Sequence, residues 1–313
     1  MKNSLDEKTV NLALQGGGSH GAFGWGVLDY LLEDGCIEIE GISATSAGAM
    51  NAIALAQGLL NNNKEEAREL LENFWHKVST YGQLYAPTNP FNMNWFSQLN
   101  YSLANNPSYI AFEGMTQLLS PYQFNPLNFN PLKNILEDMI DFEAIRTNSK
   151  LKLHFCATNL ETSQVHIFKK DEVSADVVMA SACLPNLFQA IEINGEYFWD
   201  GGYTGNPAIF PLIYHCDSPD ILLISLTPIV RKGLPKTADE IMNRILEISF
   251  NASLTRELRA IAFVTHLIEE GKFKDGEMKY IRMHAIRSDE KMCAYERRCQ
   301  FPFIVKVQSH QYK

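Results

Sequence analysis

The stretch "GISATSAGAMNA", Gly41 to Ala52, decides how the rest of the chain is read. The β-branched Ile42 leads in, Thr45 and Ser46 follow, and Ala47-Gly48-Ala49 opens a run of small residues with helical character. A strand that ends at a serine and turns at once into a helix needs small neighbours, because the turn is tight and backbones approach closely. Ala47, Gly48 and Ala49 meet that need, while Ala44 stands where the G-x-S-x-G form of such an elbow has its first glycine. Read alone, the segment serves two ends equally well. Ser46 is either a nucleophile whose alkoxide the helix dipole would favour, or an ordinary helix N-cap.

Upstream, "TVNLALQ" (Thr9–Gln15) reads as a strand, followed by the cluster "GGGSHG" and a helical run that stops at Gly35. "IEIEGISAT" is a second strand, and "SAGAMNAIALAQGLL" a helix ending near Asn61–Asn63. Strand–helix–strand–helix at this spacing predicts a parallel sheet with crossover helices. Further strands are expected at "LKLHFCATNL", "SQVHIF", "EINGEYFW", "DILLISLTP" and "KYIRMHAI", and one or two packed helices between Ala238 and Lys274. The continuous apolar "ILLISL" suits a central strand buried on both faces. Between about 81 and 130, eleven of fifty positions are aromatic and Asn and Pro are dense. That segment reads as an insertion that closes a core edge or covers a binding cleft. Residues 1–290 are thus expected to form one α/β domain with this insertion, and 291–313 an atypical C-terminal tail.

At 313 residues and 46% hydrophobic content the chain can bury a large core, and its formal charge of −9 argues against a nucleic-acid binder. The six cysteines form no C-x-x-C pair, which speaks against a zinc site and for a reducing compartment. The N-terminus has no secretory signal, and no apolar run reaches the roughly 18 residues a membrane span needs. A soluble cytoplasmic chain is expected, with peripheral membrane association or signal-less export compatible with it. Oligomeric state is not legible.

Two more segments carry chemistry. Gly16, Gly18 and Gly21 match G-x-G-x-x-G after a strand, and Glu40 lies nineteen residues after Gly21, where a dinucleotide site would hold its ribose. Physically the glycines supply bare N–H groups at a helix N-terminus, suited to a pyrophosphate or to the oxyanion of acyl transfer. In "EYFWDGGYTGNP", Gly201 and Gly202 permit a turn that would present Asp200 into a cleft, or only an ordinary β-turn. None of the eight histidines lies in a recognisable base motif, and His20 reads as a loop residue held by local hydrogen bonds. A carboxylate acting directly on the serine hydroxyl satisfies the nucleophile-plus-base logic with one fewer relay.

Taken together, "GGGSHG", "ATSAG" and "DGG", in that order, resemble the patatin-like phospholipases, lipid acyl hydrolases of plants and bacteria. The run from Ala180 to Pro185 looks like the family's Ala-Ser-to-Pro segment, and the likeness extends from about Thr9 to Pro228. It implies a three-layer α/β/α fold with a mainly parallel central sheet and Ser46 on a strand–turn–helix elbow. It further implies Ser46 as nucleophile, Asp200 as base, and the N–H groups of Gly16, Gly17 and Gly18 as oxyanion hole. Ala44, Gly48, Gly201 and Gly202 would then support the turns. The implied reaction is cleavage of a phospholipid or other acyl-ester lipid through an acyl-enzyme, with no metal and no organic cofactor. The competing expectations are an inactive hydrolase-like lipid-binding or interaction protein, and a dinucleotide-binding oxidoreductase. Three departures from the family pattern stand out: Ala44, His20 in place of a basic loop residue, and the tail.

Overall fold

The structure, a computed structural model, describes residues 7–85, 118–274 and 276–288. Most of the aromatic insertion and the whole 291–313 tail lie outside the described residues. The chain opens with β1 (Lys8–Leu14), α1 (Gly21–Asp34), β2 (Ile37–Ala44), α2 (Ala47–Gly58) and α3 (Lys64–Tyr85). Gly35 ends α1 in the left-handed region at φ 71°, its N–H returning to Leu31 O, which is why the helical run stops there. Then come α4 (Pro121–Phe124), α5 (Pro131–Met139), α6 (Phe142–Asn148), β3 (Lys152–Asn159), β4 (Val165–Lys169) and α7 (Ala175–Ser181). The chain continues with β5 (Ile191–Ile193), β6 (Glu196–Asp200), α8 (Phe210–His215), β7 (Asp220–Ser225), α9 (Ala238–Glu269) and β8 (Arg282–Arg287).

The strands form one eight-stranded sheet in the order β5-β6-β3-β2-β1-β7-β8, with β4 also pairing to β3. The β3–β2–β1–β7–β8 pairs are all parallel, while β4 and β6 run antiparallel to β3. Side chains alternate across a pleated strand, so each central strand feeds two cores. Leu12 and Leu14 of β1 and Leu222 and Ile224 of β7 pack with α1, α2 and α3 on one face. Ala13, Ile221 and Leu223 face the opposite side, against Ile209 and Leu212 near α8 and Leu254 of α9. The result is a three-layer α/β/α fold with a mainly parallel sheet, in which β7 is buried along its whole length.

One sequence expectation changes. "EINGEYFW" reads as one strand but folds as the hairpin β5–β6, because Asn194 (φ 54°) and Gly195 (φ 84°) make a tight turn between paired strands. Of the one or two helices expected from Ala238, the segment forms a single 32-residue helix, α9, started by a Thr237–Glu240 capping box.

The register fixes where the chemistry can sit. Ala44 at the end of β2 pairs with Leu14 and Phe155, and Asp200 at the end of β6 pairs with Ala157, two residues beyond Phe155. Ser46 and Asp200 therefore leave the sheet at the same edge, the carboxyl end of its parallel strands. In open α/β sheets that edge is where ligands bind.

Candidate active site

Ser46 holds φ 54° and ψ −120°, a conformation few non-glycine residues adopt and one that costs about 1–3 kcal/mol. The neighbours impose it. Thr45 N–H donates to Leu14 O (3.2 Å), Thr45 Oγ1 donates to Gly205 O (2.6 Å), and Gly48 N–H returns to Thr45 O (2.8 Å). The Ser46 N–H itself donates to Ser181 Oγ (3.0 Å). A Cβ on Gly48 would lie 2.2 Å from Leu14 O, so only glycine lets α2 start against the end of β1. Ser46 stands at the N-cap position of α2, but its side chain caps no backbone N–H. The capping alternative thus lacks the hydrogen bond that defines it. Ala44 is fully buried in the apolar cluster beneath α1 to α3, where its methyl group contributes to packing.

The glycine loop lies against this turn. A Cβ on Gly16 would sit 2.7 Å from Ser46 Cβ, so the approach of loop to serine requires a bare backbone there. The Gly16 N–H donates to Asn206 Oδ1 (2.7 Å) and is already occupied. The N–H groups of Gly17, which is extended, and of Gly18, at φ 57°, have no acceptor among the described residues. The Nδ1 atom of His20 is hydrogen-bonded to Gly17 O (2.9 Å), fixing that ring to its own loop.

Asp200 is fully buried. Its N–H donates to Cys183 O (2.8 Å), its carbonyl accepts from Thr158 Oγ1 (2.8 Å), and its Oδ1 accepts from Gly202 N–H (2.7 Å). Burial pushes its pKa up to about 7, against the lowering effects of the Gly202 N–H and of the nearby Ser46 hydroxyl. The serine and the carboxylate do not meet at full hydrogen-bond geometry, and Oδ2 is buried with no partner. Catalytic hydrogen bonds in unliganded sites are often long and tighten with substrate. Gly201 and Gly202 are demanded by contact: added Cβ atoms would lie 2.2 Å from Cys156 O and 2.7 Å from the Phe250 ring.

Three buried residues to which the sequence alone assigns no role complete the frame. Asn206 clamps Gly16 through both its amide oxygen and, more weakly, its amide nitrogen (3.5 Å). Ser181 holds the Ser46 backbone. Gln15 ties the loop to β7, its Oε1 accepting from Leu226 N–H (2.8 Å) and Thr227 N–H (3.0 Å) while its Nε2 donates to Asn251 Oδ1 (2.9 Å) on α9. All three bind partners far away in sequence, which is why spacing does not single them out.

Glu40 lies elsewhere. It is the extra residue of a bulge in the β1–β2 ladder, four residues before the end of β2 and so roughly 13 Å from the carboxyl edge. Its carboxylate accepts from Lys152 Nζ (2.7 Å) and from the N–H groups of Asp217 (2.6 Å) and Ser218 (2.8 Å). It is committed to structure at the wrong end of the strand to hold a ribose beside Gly16–Gly21.

Beside Cys183, whose carbonyl binds the Asp200 N–H, opens a cavity of about 530 Å³. Leu127, Phe129, Met179 and Phe188 supply apolar walls, and Asn128, Lys133, Asp176 and Glu192 polar ones. The described end of the aromatic insertion therefore lines a hollow flanking the candidate base. Among the described residues no helix is long and apolar enough to cross a membrane.

Similar folds occur in VipD from Legionella pneumophila, 18% identical over 89% of this chain with a TM-score of 0.39, and in the heterodimeric ExoU–SpcU complex from the type III secretion system of Pseudomonas aeruginosa, 16% identical over 80% with a TM-score of 0.37. The matched regions are 61% and 51% of those longer chains. No curated protein sequence matches. Residues 12–213, which hold the glycine loop, the elbow and the Asp200 turn, match the patatin-like phospholipase model, and the chain belongs to that family.

Proposed function

We propose that the chain is a serine acyl hydrolase of lipid esters, of phospholipase A or lysophospholipase type, working through a Ser46–Asp200 dyad. The observation that carries this reading is the unpartnered, fully buried Asp200 Oδ2 beside a strained Ser46 whose side chain makes no capping bond. A buried carboxylate with a pKa near 7 is a competent base at neutral pH. Asp200 takes the proton as Ser46 Oγ attacks the ester carbonyl. The developing oxyanion accepts from Gly17 N–H and Gly18 N–H, loop donors without an acceptor among the described residues. Each such donor is typically worth about 10²–10³ in rate. The protonated Asp200 returns its proton to the departing alcohol, leaving Ser46 acylated. Asp200 then takes a proton from water as the water oxygen attacks the acyl carbon, and returns it to Ser46 Oγ as the acyl–oxygen bond breaks, releasing the fatty acid and restoring both groups.

The mixed lining of the 530 Å³ cavity suits a molecule with an apolar and a polar part, and we assign it to substrate. A fluorophosphonate probe should label the full chain at Ser46. A phospholipid carrying a reporter acyl chain should be turned over, and Ser46→Ala should abolish both signals. Asp200→Asn should lower turnover by at least a hundredfold while the fold persists by circular dichroism. Wild-type rates in either variant would sink the dyad.

A further inference from the structure

α9 has two faces of different kind. On the inner face, Phe250 packs against Gly202, with its ring 5.1 Å from that of Tyr203, and Ser253 Oγ accepts the Asn206 N–H (3.3 Å). The first half of α9 therefore lies directly over the loop that carries the candidate base. On the opposite face, Ile241, Met242, Ile245 and Ile248 recur at helical spacing and are each between 44% and 55% exposed. In the segment leading into the helix, Val230 and Leu234 are more exposed still, at 68% and 79%. Isolated exposed apolar side chains are ordinary in soluble proteins, but six gathered on one helix face and its approach are not.

The charge around this patch has a definite sign. Lys232 and Lys236 are exposed beside Val230 and Leu234, and Arg256 and Arg259 continue the outer face about two and three turns beyond Ile248. Neither arginine has an acidic partner within ion-pair distance among the described residues. Glu247, next to Ile248 in the chain, is buried and already held by Arg231 (2.6 Å) and Arg244 (3.0 Å). Glu240 is engaged in the capping box with Thr237. A chain of formal charge −9 thus presents a local apolar strip flanked by cations. That pairing is what an interfacial helix uses: apolar side chains enter the headgroup boundary while Lys and Arg meet anionic lipid.

We propose that the outer face of α9, with Val230 and Leu234, docks the protein on an anionic membrane surface. The helix is about 10–12 Å across, so docking brings the Asp200–Asn206 loop to within one helix diameter of the lipid surface. This deepens the lipid-hydrolase reading, on which its use to the cell rests, but binding itself needs no catalysis.

The test uses the full chain carrying Ser46→Ala, which leaves lipid intact, in co-flotation with vesicles. Vesicles of phosphatidylcholine with about 30% phosphatidylserine should retain it, and pure phosphatidylcholine vesicles should retain it markedly less. Replacing two residues of the strip (I245D/I248D) should weaken binding about tenfold or more. Reversing the arginines (R256E/R259E) should weaken it by at least about fivefold per charge and flatten its salt dependence. In the wild-type background the same substitutions should leave hydrolysis of a soluble short-chain ester unchanged while lowering attack on vesicle lipid. Absence of binding by the full chain, equal binding to neutral vesicles, or aspartate variants that float as well as the parent would each overturn the proposal. So would a concentration-dependent dimer, seen by sedimentation, that I245D/I248D dissolves, because the face would then be covered by a second copy. Vesicle binding without any esterase activity would leave the docking surface standing and remove the hydrolase reading. Activity on short esters without vesicle binding would do the reverse.

Discussion

The Asp200 carboxyl is held in a state that costs stability to maintain. It is fully buried and its pKa rises to about 7, chiefly because burial disfavours the charge. In the unfolded chain the same group titrates near 3.9. The sign follows from linkage. Below about pH 4 both states are protonated and the group is neutral in its effect. Between about 4 and 7 the unfolded chain ionises while the fold resists, so stability falls as pH rises, and above about 7 the loss is complete. Asp200→Asn keeps the oxygen that accepts from Gly202 N–H and removes the ionisation. The variant should therefore be more stable than the parent at pH 8, by roughly 3–4 kcal/mol at most, and indistinguishable near pH 4. Urea unfolding at the two pH values reads this directly, and an Asp200→Asn variant no more stable than the parent at pH 8 would mean that the carboxylate is better satisfied than its burial implies. Hydrolysis should carry the mirror image, with kcat/KM rising through about pH 7 as Asp200 becomes a base. A site of this kind exchanges folding energy for reactivity.

The strand–turn–helix elbow shows how the missing glycine is accommodated. Ala44 closes β2 and is buried in the same cluster as Leu14, Ala47 and Met50, so its methyl group fills core space. The tightness of the turn is set at Gly48 and Gly16, whose added Cβ atoms would meet Leu14 O and Ser46 Cβ. Ala44→Gly should therefore lose about 1–2 kcal/mol of stability, from lost burial and a freer unfolded backbone, while turnover stays within about twofold. A large gain in turnover on restoring the glycine would show instead that Ala44 strains the elbow. The same element explains what can be read in advance. Strand, serine and small residues are local, and so are the Gly35 stop and the two glycines after Asp200; each leaves its mark within a few positions. Asn206 and Ser181 lie in stretches the sequence singles out, but they reach Gly16 and Ser46 across 190 and 135 residues, and local spacing names no such partner. The β5–β6 turn is present in the letters Asn194-Gly195 but hidden by the strand character on both sides. Glu40 matches a motif by count alone, and the bulge that sends it to Lys152 is invisible without the register.

Across the fold, the sheet separates its charges by end. The carboxyl edge holds Asp200, raised by burial, and the amino edge holds Asp220 at the start of β7, beside the starts of β1 and β8. Asp220 is almost fully covered and pairs with Arg282 (2.6 Å), His284 (2.7 Å) and Lys8 (3.3 Å), so its carboxyl, bonded first of all by Arg282, sits well below the usual range. Its linkage has the opposite sign to that of Asp200. A depressed carboxylate contributes fully above its unfolded pKa of about 3.9 and loses that contribution as pH falls through the lower folded value. Its three partners are each about half exposed to solvent, which weakens the pairs by screening. Asp220→Asn should therefore cost about 1–3 kcal/mol at pH 7, since it strips charge from a carboxylate that anchors three strands. As pH falls below about 3.9 the cost should shrink, because the unfolded parent then takes up a proton that the folded carboxyl still refuses. Paired with Asp200→Asn, the two variants should shift the stability profile in opposite directions, one lifting the neutral limb and the other lowering it. If Asp220→Asn costs as much at pH 2.5 as at pH 7 in urea unfolding, the contact holds the sheet by shape and hydrogen bonding, and the division of charge between its two ends has no part in stability.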